Sequence, residues 1–334
     1  MRQLAAALVV VLLLGASWAP AAALERLNVS LNFTIEGWHG PWFLAKTKGY
    51  FTEAGLDVNI QRGFGSVDTV KKVVTGVADI GFADPVPIIQ AVAGGQPIKA
   101  IMGGYMKEPC ALYSAAEHAN VRSPKEMEGK TIGGNPGDIC IVLLQPVMDR
   151  AGADFAKVKL QSMDAPTRIP MLATGRLDTA GSFYEKEALF GKAIKAAGKT
   201  MVTWRFDQHI NKYSVMVVVT ERMINERPET LRRLTLALLK GYQDHLKDAD
   251  AGAAAIMNTH PEFDRDYIYS SARSFHENLW DETAKARGIG VLNSEKMQST
   301  IDLTAHYWKL PRKPSPDEVF TNGFIEWAHR ELKR

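Results

Sequence analysis

Amide, acidic and aromatic side chains gather in five short segments of this chain, each set between a β-like run and a helix-like one. They are Asn32-Phe33-Thr34-Ile35-Glu36-Gly37-Trp38-His39-Gly40, Gly63-Phe64-Gly65-Ser66, Ala83-Asp84-Pro85, Gly134-Asn135-Pro136-Gly137-Asp138 and Ser182-Phe183-Tyr184-Glu185. Loops of this kind lie at the carboxyl ends of parallel strands, where helix N-termini turn free N–H groups and a partial positive charge into a crevice. Glycine and proline fix the backbone there, Trp, Phe and Tyr supply flat contact area, and a few polar groups set orientation. The chemistry this suits is recognition of a small, flat, polar molecule. The candidate lining is Asn32, Phe33, Thr34, Trp38, His39, Asp84, Asn135, Gly137, Asp138, Phe183, Tyr184 and Glu185, with Tyr105 from the segment Gly104 to Pro109. Plainer roles stand beside these. Asp138 also suits an N-cap, Asp84 before Pro85 a turn, and Phe183 with Tyr184 a packing contact between structural units. Trp38 precedes a helix in a polar loop, where an indole has little reason to sit unless it covers something.

Motifs for covalent chemistry come up short. The sequence has no Walker loop, no Gly-x-Gly-x-x-Gly after a strand, no Gly-x-Ser-x-Gly elbow and no His-Glu-x-x-His. Its eight histidines show no ligand spacing, so no metal is expected, and His245 and His329, among charged residues in helical stretches, read as solvated. No cofactor is expected either. Cys110 and Cys140 lack Cys-x-x-Cys spacing; they either pair in an oxidising compartment or act as two small buried hydrophobes.

The elements that must hold these loops alternate strand and helix, the pattern of an α/β chain with largely parallel sheets. Strands are expected at Leu27 to Leu31, Asp57 to Gln61, Ile80 to Ala83, Ile98 to Met102, Lys130 to Gly134, Val158 to Gln161, Leu177 to Gly181, Thr200 to Trp204 and Ser214 to Thr220. The last is a continuous apolar run, as for a strand covered on both faces. Val67, Val70, Val73 and Val74 form one apolar helix face, and Ser123-Pro124-Lys125-Glu126 reads as a capping box. From Pro228 onward the pattern is almost wholly helical. Thr75-Gly76-x-x-Asp79 recurs as Thr174-Gly175-x-x-Asp178, each glycine closing a helix and each aspartate preceding a strand, which points to two similar α/β units.

Composition sets the class. The chain has 334 residues, 46% hydrophobic and 23% charged, with 40 Lys and Arg against 37 Asp and Glu, enough for two domains and too mixed for disorder. A formal charge of +3, with both signs interleaved, gives no reason to expect a nucleic-acid partner. Arg2, the apolar run Leu4 to Gly15 and Ala21-Ala22-Ala23 read as a secretory signal peptide cleaved after Ala23, the run being too short to span a bilayer.

Leu31-Asn32-Phe33, the block Phe43 to Val58 (FLAKTKGYFTEAGLDV) and Gly76 to Phe82 (GVADIGF) resemble the substrate-binding proteins of the nitrate/sulfonate/taurine group of ABC importers, most of all those for thiamine pyrimidine precursors. Ser123 to Gly133 is similar to the strand entry of their second lobe. The resemblance implies a two-lobe periplasmic binding protein fold (type II), each lobe a mostly parallel sheet flanked by helices, joined by a double crossover hinge. Lobe I would comprise 24–109 and 215–334, and lobe II 110–214. It implies a periplasmic monomer that closes on a small ligand and docks on a membrane permease, with the ATPase on another subunit. A carboxylate in the cleft favours a donor-bearing heteroaromatic over a bare anion. The fold also resembles exported dehydratases and the eukaryotic pyrimidine synthases of thiamine biosynthesis, which consume their own histidine, but this chain has no cysteine-rich run like theirs. A sensor reporting to a membrane kinase is a further role for such a fold.

Overall fold

Ten short strands carry the apolar runs of the sequence in a computed structural model that describes residues 23–334. The expected signal peptide falls, apart from Ala23, outside the described residues. The strands are β1 (Glu25–Ser30), β2 (Leu56–Gln61), β3 (Ile80–Ala83), β4 (Ile98–Gly103), β5 (Cys110–Ala115), β6 (Thr131–Gly133), β7 (Lys159–Gln161), β8 (Thr179–Phe183), β9 (Met201–Arg205) and β10 (Met216–Thr220). They form two five-stranded sheets, β2-β1-β3-β10-β4 and β7-β6-β8-β5-β9. We call the first lobe I and the second lobe II. In lobe I β1 runs parallel to β2 and β3, and β10 is antiparallel to both of its neighbours. Lobe II repeats the plan, β6 being parallel to β7 and β8 and β5 antiparallel to β8 and β9. The helices after β10 pack largely on lobe I, where Pro228–Lys247 lies against Gly40–Thr47. Among the described residues no helix is long and apolar enough to cross a membrane.

The Thr-Gly-x-x-Asp repeat is one device used in both lobes. Gly76 and Gly175 take the left-handed backbone that glycine tolerates, with φ of 74° and 75°, and end their helices. Thr75 and Thr174 hydroxyls donate back to the carbonyls of Lys71 and Pro170. The aspartates then do the same work on neighbouring strands: Asp79 accepts the Asn28 N–H at 2.8 Å in β1, and Asp178 accepts the Thr131 N–H at 2.8 Å in β6. Each carboxylate ties the helix-strand junction to the adjacent strand start.

Three expectations are corrected. Glu126 accepts the backbone N–H of Arg122 rather than that of Ser123, and the Ser123 side chain caps nothing, so the capping box does not form. Val67 is 44% exposed, because the helix Ser66–Val74 starts at the rim between the lobes, while Val70 and Val73 are buried and Val74 packs partly buried beside them. His245 is fully buried against Gly40 and Gly252, its Nε2–H donating to the Ala272 carbonyl (3.1 Å), and burial holds it down at about pKa 4. Its charged sequence neighbours lie on the other faces of the same helix.

The chain crosses between the sheets after β4 and after β9, and the two crossings lie side by side, with Gly104 and Tyr105 N–H groups both donating to the Val215 carbonyl. A buried ion triad fastens them. Lys212 Nζ sits 2.5 Å from Asp84 Oδ2 and 2.8 Å from Glu108 Oε2, all three residues being nearly free of solvent contact. Cys110 and Cys140 are joined in a disulfide with 5.4 Å between their Cα atoms, which resolves the two readings of these residues toward pairing. Closing a loop of sequence separation 30 stabilises the fold by roughly 3–4 kcal/mol in the chain-entropy account.

Candidate functional site

The loops that leave β1 and β2 in lobe I meet, from lobe II, the loop after β6, the end of β8 and the helix Ala165–Thr174 that follows β7, and together they line a pocket with about 370 Å³ of free space, its open mouth included. Lobe I contributes Asn32, Phe33, Trp38, Gly65 and Ser66; lobe II contributes Asp138, Ile139, Cys140, Arg168, Gly181, Ser182 and Phe183. The cleft is closed. A Cβ placed on Gly65 would lie 2.8 Å from the Gly137 carbonyl of the other lobe, so a larger residue at Gly65 would hold the lobes apart. Trp38 meets Phe183 with ring centroids 5.4 Å apart, and Lys186 spans the lobes to Glu36 at 2.6 Å. Lys186 also lies over the Phe33 ring at 5.0 Å.

The polar groups of the cavity are few and incompletely paired. Asp138 stands at the N-cap of Ile139–Val142 but makes no side-chain cap bond there. Its Oδ2 accepts from the Arg168 guanidinium and from the Asn135 N–H, while its Oδ1 is buried without a partner. Arg168 also donates to the Gly181 carbonyl at 3.1 Å, leaving Nε buried and unpartnered. Trp38 Nε1 is a third such atom. Buried polar atoms without partners cost stability unless something else satisfies them. One acceptor and two donors of this kind, set between an indole and two phenyl rings, can hold a flat molecule that has both acceptors and a donor on its edge.

Five of the thirteen sequence candidates line the cavity: Asn32, Phe33, Trp38, Asp138 and Phe183. Asn135 and Gly137 build its rim, the first through its bond to Asp138 and the second through its approach to Gly65. His39 is buried one layer behind, against Asn32. The other five lie elsewhere. Thr34 donates to the Glu36 carboxylate and so supports the Glu36–Lys186 pair. Asp84 does not reach the cavity; its carboxylate is committed to Lys212 and to the Val86 N–H, because a buried charge pairs with the nearest cation. Tyr105 is buried between Phe183 and Phe275 and braces the wall from behind. Tyr184 and Glu185 line a separate outer groove, with Arg205 over the Tyr184 ring at 4.1 Å. Residues without a place among the candidates are Arg168, Gly65, Ser66, Ile139, Cys140, Gly181 and Ser182. Gly65 and Ser66 stood in a loop already marked by its composition. Arg168 had only the need of buried Asp138 for a cation as a signal.

Asn278 of lobe I is gripped by lobe II at that outer groove. Its Oδ1 accepts from the Tyr184 hydroxyl and its Nδ2 donates to Glu185 Oε1, both at 2.5 Å. Burial pushes the Glu185 carboxyl up to about 8, opposed by its hydrogen bonds and by Arg205 and reinforced by Glu108. A carboxyl raised in the folded state and normal when unfolded stabilises most below the unfolded value. Stability is therefore expected to fall by about tenfold in the folding constant per pH unit from about 4.5 to about 8, then level off. Urea midpoints across that range check this, and Glu185→Gln should flatten the slope; an equal slope in both proteins counts against it.

A model of the family described as NMT1/THI5 like matches residues 37–251. The chain is 23% identical over 292 residues to a formylaminopyrimidine-binding protein of Halalkalibacterium halodurans, covering 86% of this chain and 87% of the other. It is 22% identical to the riboflavin-binding protein RibY of Chloroflexus aurantiacus, with 90% and 86% covered. It is also 30% identical to a 4-amino-5-hydroxymethyl-2-methylpyrimidine phosphate synthase of Candida albicans, with 91% and 89% covered. Among solved structures, the alkanesulfonate-binding protein SsuA of Xanthomonas axonopodis superposes with a TM-score of 0.67 at 12% identity, covering 90% of this chain and 99% of that one, a likeness of fold. The architecture is thus the two-lobe periplasmic binding protein fold.

Proposed function

The chain belongs to the NMT1/THI5-like family, and from that premise we propose that it is the solute-binding component of an ABC importer, taking a small heteroaromatic molecule of the aminopyrimidine kind. The observation that carries the ligand class is that one unpartnered acceptor, Asp138 Oδ1, and two unpartnered donors, Trp38 Nε1 and Arg168 Nε, belong to residues that line one cavity. An aminopyrimidine has an exocyclic N–H₂ for the carboxylate and ring nitrogens for the donors, and its face stacks on Trp38 and Phe183. A sulfonate or nitrate has no N–H to give Asp138 and would lie beside its charge. Relatives named for formylaminopyrimidine and for riboflavin, both flat nitrogen heterocycles, support the class.

Ligand exchange follows from the two lobes. Lobe I supplies five of the lining residues and lobe II seven, so both touch the ligand only when the cleft is shut, and binding shifts the equilibrium toward the closed form. The closed form, exported to the periplasm by its leader, acts as a monomer that presents the ligand to a membrane permease. The protein is not an enzyme in this reading. No histidine or cysteine thiol lines the cavity among the described residues; its one cysteine, Cys140, is in the disulfide. Calorimetric titration with formyl-aminopyrimidine, taurine, an alkanesulfonate and an aromatic carboxylate tests the proposal. Heat with the pyrimidine is expected, heat only with the sulfonates would end the pyrimidine assignment, and steady turnover of any of them would end the non-enzyme reading.

A further inference from the structure

Asn32 is held on all sides but one. Its carbonyl accepts the Gly65 N–H at 2.9 Å, and the next carbonyl, that of Phe33, accepts the Gly63 N–H at 2.8 Å, so the backbone beneath the side chain is fixed. The remaining freedom is the half-turn that exchanges the amide oxygen with the amide nitrogen, and His39 decides it. His39 Nε2 lies 3.1 Å from Asn32 Oδ1. Its Nδ1 lies 3.1 Å from the backbone nitrogen of Glu36, which can only donate. Nδ1 must therefore be the lone-pair nitrogen, the ring proton sits on Nε2, and Nε2–H donates to Asn32 Oδ1. An imidazolium could not serve, since it would turn an N–H against the Glu36 N–H. Full burial, followed by the nearby charge of Lys186, holds the ring neutral against the bond from Glu36, at about pKa 3. The rings of Trp38 at 5.6 Å and Phe82 at 6.0 Å keep the imidazole in place.

We propose that His39 is a positioning residue that turns the Asn32 amide N–H₂ into the cavity, so that the lobe I wall accepts only ligands offering a lone pair there. That group is a ring nitrogen or a carbonyl oxygen, and a ligand presenting N–H or an ammonium at this point is rejected. The inference rests on reading the cavity as the ligand site. It adds a lobe I donor, Asn32 Nδ2, to a site whose one unpartnered acceptor, Asp138 Oδ1, is on lobe II. A molecule with a lone pair on one edge and an N–H on the other fits in one orientation only.

Two measurements test it. The first needs no ligand: ¹⁵N NMR of the imidazole in the whole protein should show a neutral ring protonated at Nε2 from about pH 5 to about pH 9. Protonation at Nδ1, or titration inside that range, overturns the proposal. The second is titration with formyl-aminopyrimidine. Asn32→Ala should weaken binding about tenfold, the worth of one hydrogen bond. His39→Gln, which can keep an N–H toward Asn32, should stay within about threefold, and His39→Leu should match Asn32→Ala. The double variant His39→Leu/Asn32→Ala should lose no more than Asn32→Ala alone; losses that add would overturn the proposal. If the native protein binds no pyrimidine, the ligand assignment falls, while the NMR measurement still decides the role of His39.

Discussion

An Asp138→Asn protein is expected to bind formyl-aminopyrimidine roughly 10- to 150-fold more weakly than the native chain, the cost of losing a hydrogen bond to a charged acceptor. It should also acquire affinity for alkanesulfonates. Arg168 is 3% exposed and its carboxylate partner is Asp138; its other hydrogen bonds go to main-chain carbonyls. With asparagine in place, a buried guanidinium is left without a counter-charge, in a cavity that already holds the unpartnered donors Trp38 Nε1 and Arg168 Nε. Such a charge costs about 3–5 kcal/mol of stability when nothing neutralises it. An anion entering the cavity restores part of that loss, so the variant's melting temperature should rise with added alkanesulfonate more than the native protein's does. Circular dichroism first establishes that the variant is folded. Unchanged pyrimidine affinity would remove Asp138 from the site.

The larger effect on folding is expected from Lys212→Met. Two carboxylates, Asp84 and Glu108, would then share a water-free position with no cation between them. In the native protein burial pulls Lys212 down, but the two carboxylates more than restore it, and it is held above its usual value. Asp84 and Glu108 are both raised, burial outweighing Lys212. Removing the cation can only raise them further. Stability at about pH 7.5 should fall by about 3–5 kcal/mol or more, a factor of at least 100 in the folding constant. Because the folded carboxyls are raised and the unfolded ones are not, the loss is smallest below the unfolded values and grows as pH rises through the range above them. Denaturation midpoints should therefore recover toward about pH 5. A variant as stable as the native chain at neutral pH, or one that weakens on acidification, would contradict this account.

How far the sequence carries depends on how local each determinant is. Strands built from alternating or continuous aliphatic residues, such as Ile80–Ala83 and Met216–Thr220, show themselves by pattern, and β3 begins and ends where its residues say. β5, Cys110–Ala115, does not, since CALYSA has no β-branched residue and no alternation, although every residue in it is buried. The aromatic half of the site was legible for the same local reason: Trp38 and Phe183 are conspicuous in loops at strand ends. The charges were legible only as single residues. Asp84 and Asp138 look alike in sequence, each opening a helix next to a proline or glycine. What separates them is a cation far away: Lys212, 128 residues on, draws Asp84 into the hinge, and Arg168, 30 residues on, holds Asp138 at the cavity. No local pattern contains that information, because it arises only when the two sheets are assembled.

The ion triad also says where the molecule can bend. Glu108 is on the first crossing, Lys212 on the second, and Asp84 caps the helix Pro85–Ala93 of lobe I. Both crossings are therefore welded to lobe I up to those residues, and rotation there would have to pull charges apart in a dry interior. Beyond the weld each crossing enters lobe II, where the Pro109 carbonyl accepts the Tyr184 N–H on one and the Phe206 carbonyl accepts the His209 and Ile210 N–H groups on the other. In the closure proposed above, the pivot would then sit toward lobe II, the lobe that carries Asp138, Arg168 and Phe183 against Asn32 and Trp38 of lobe I.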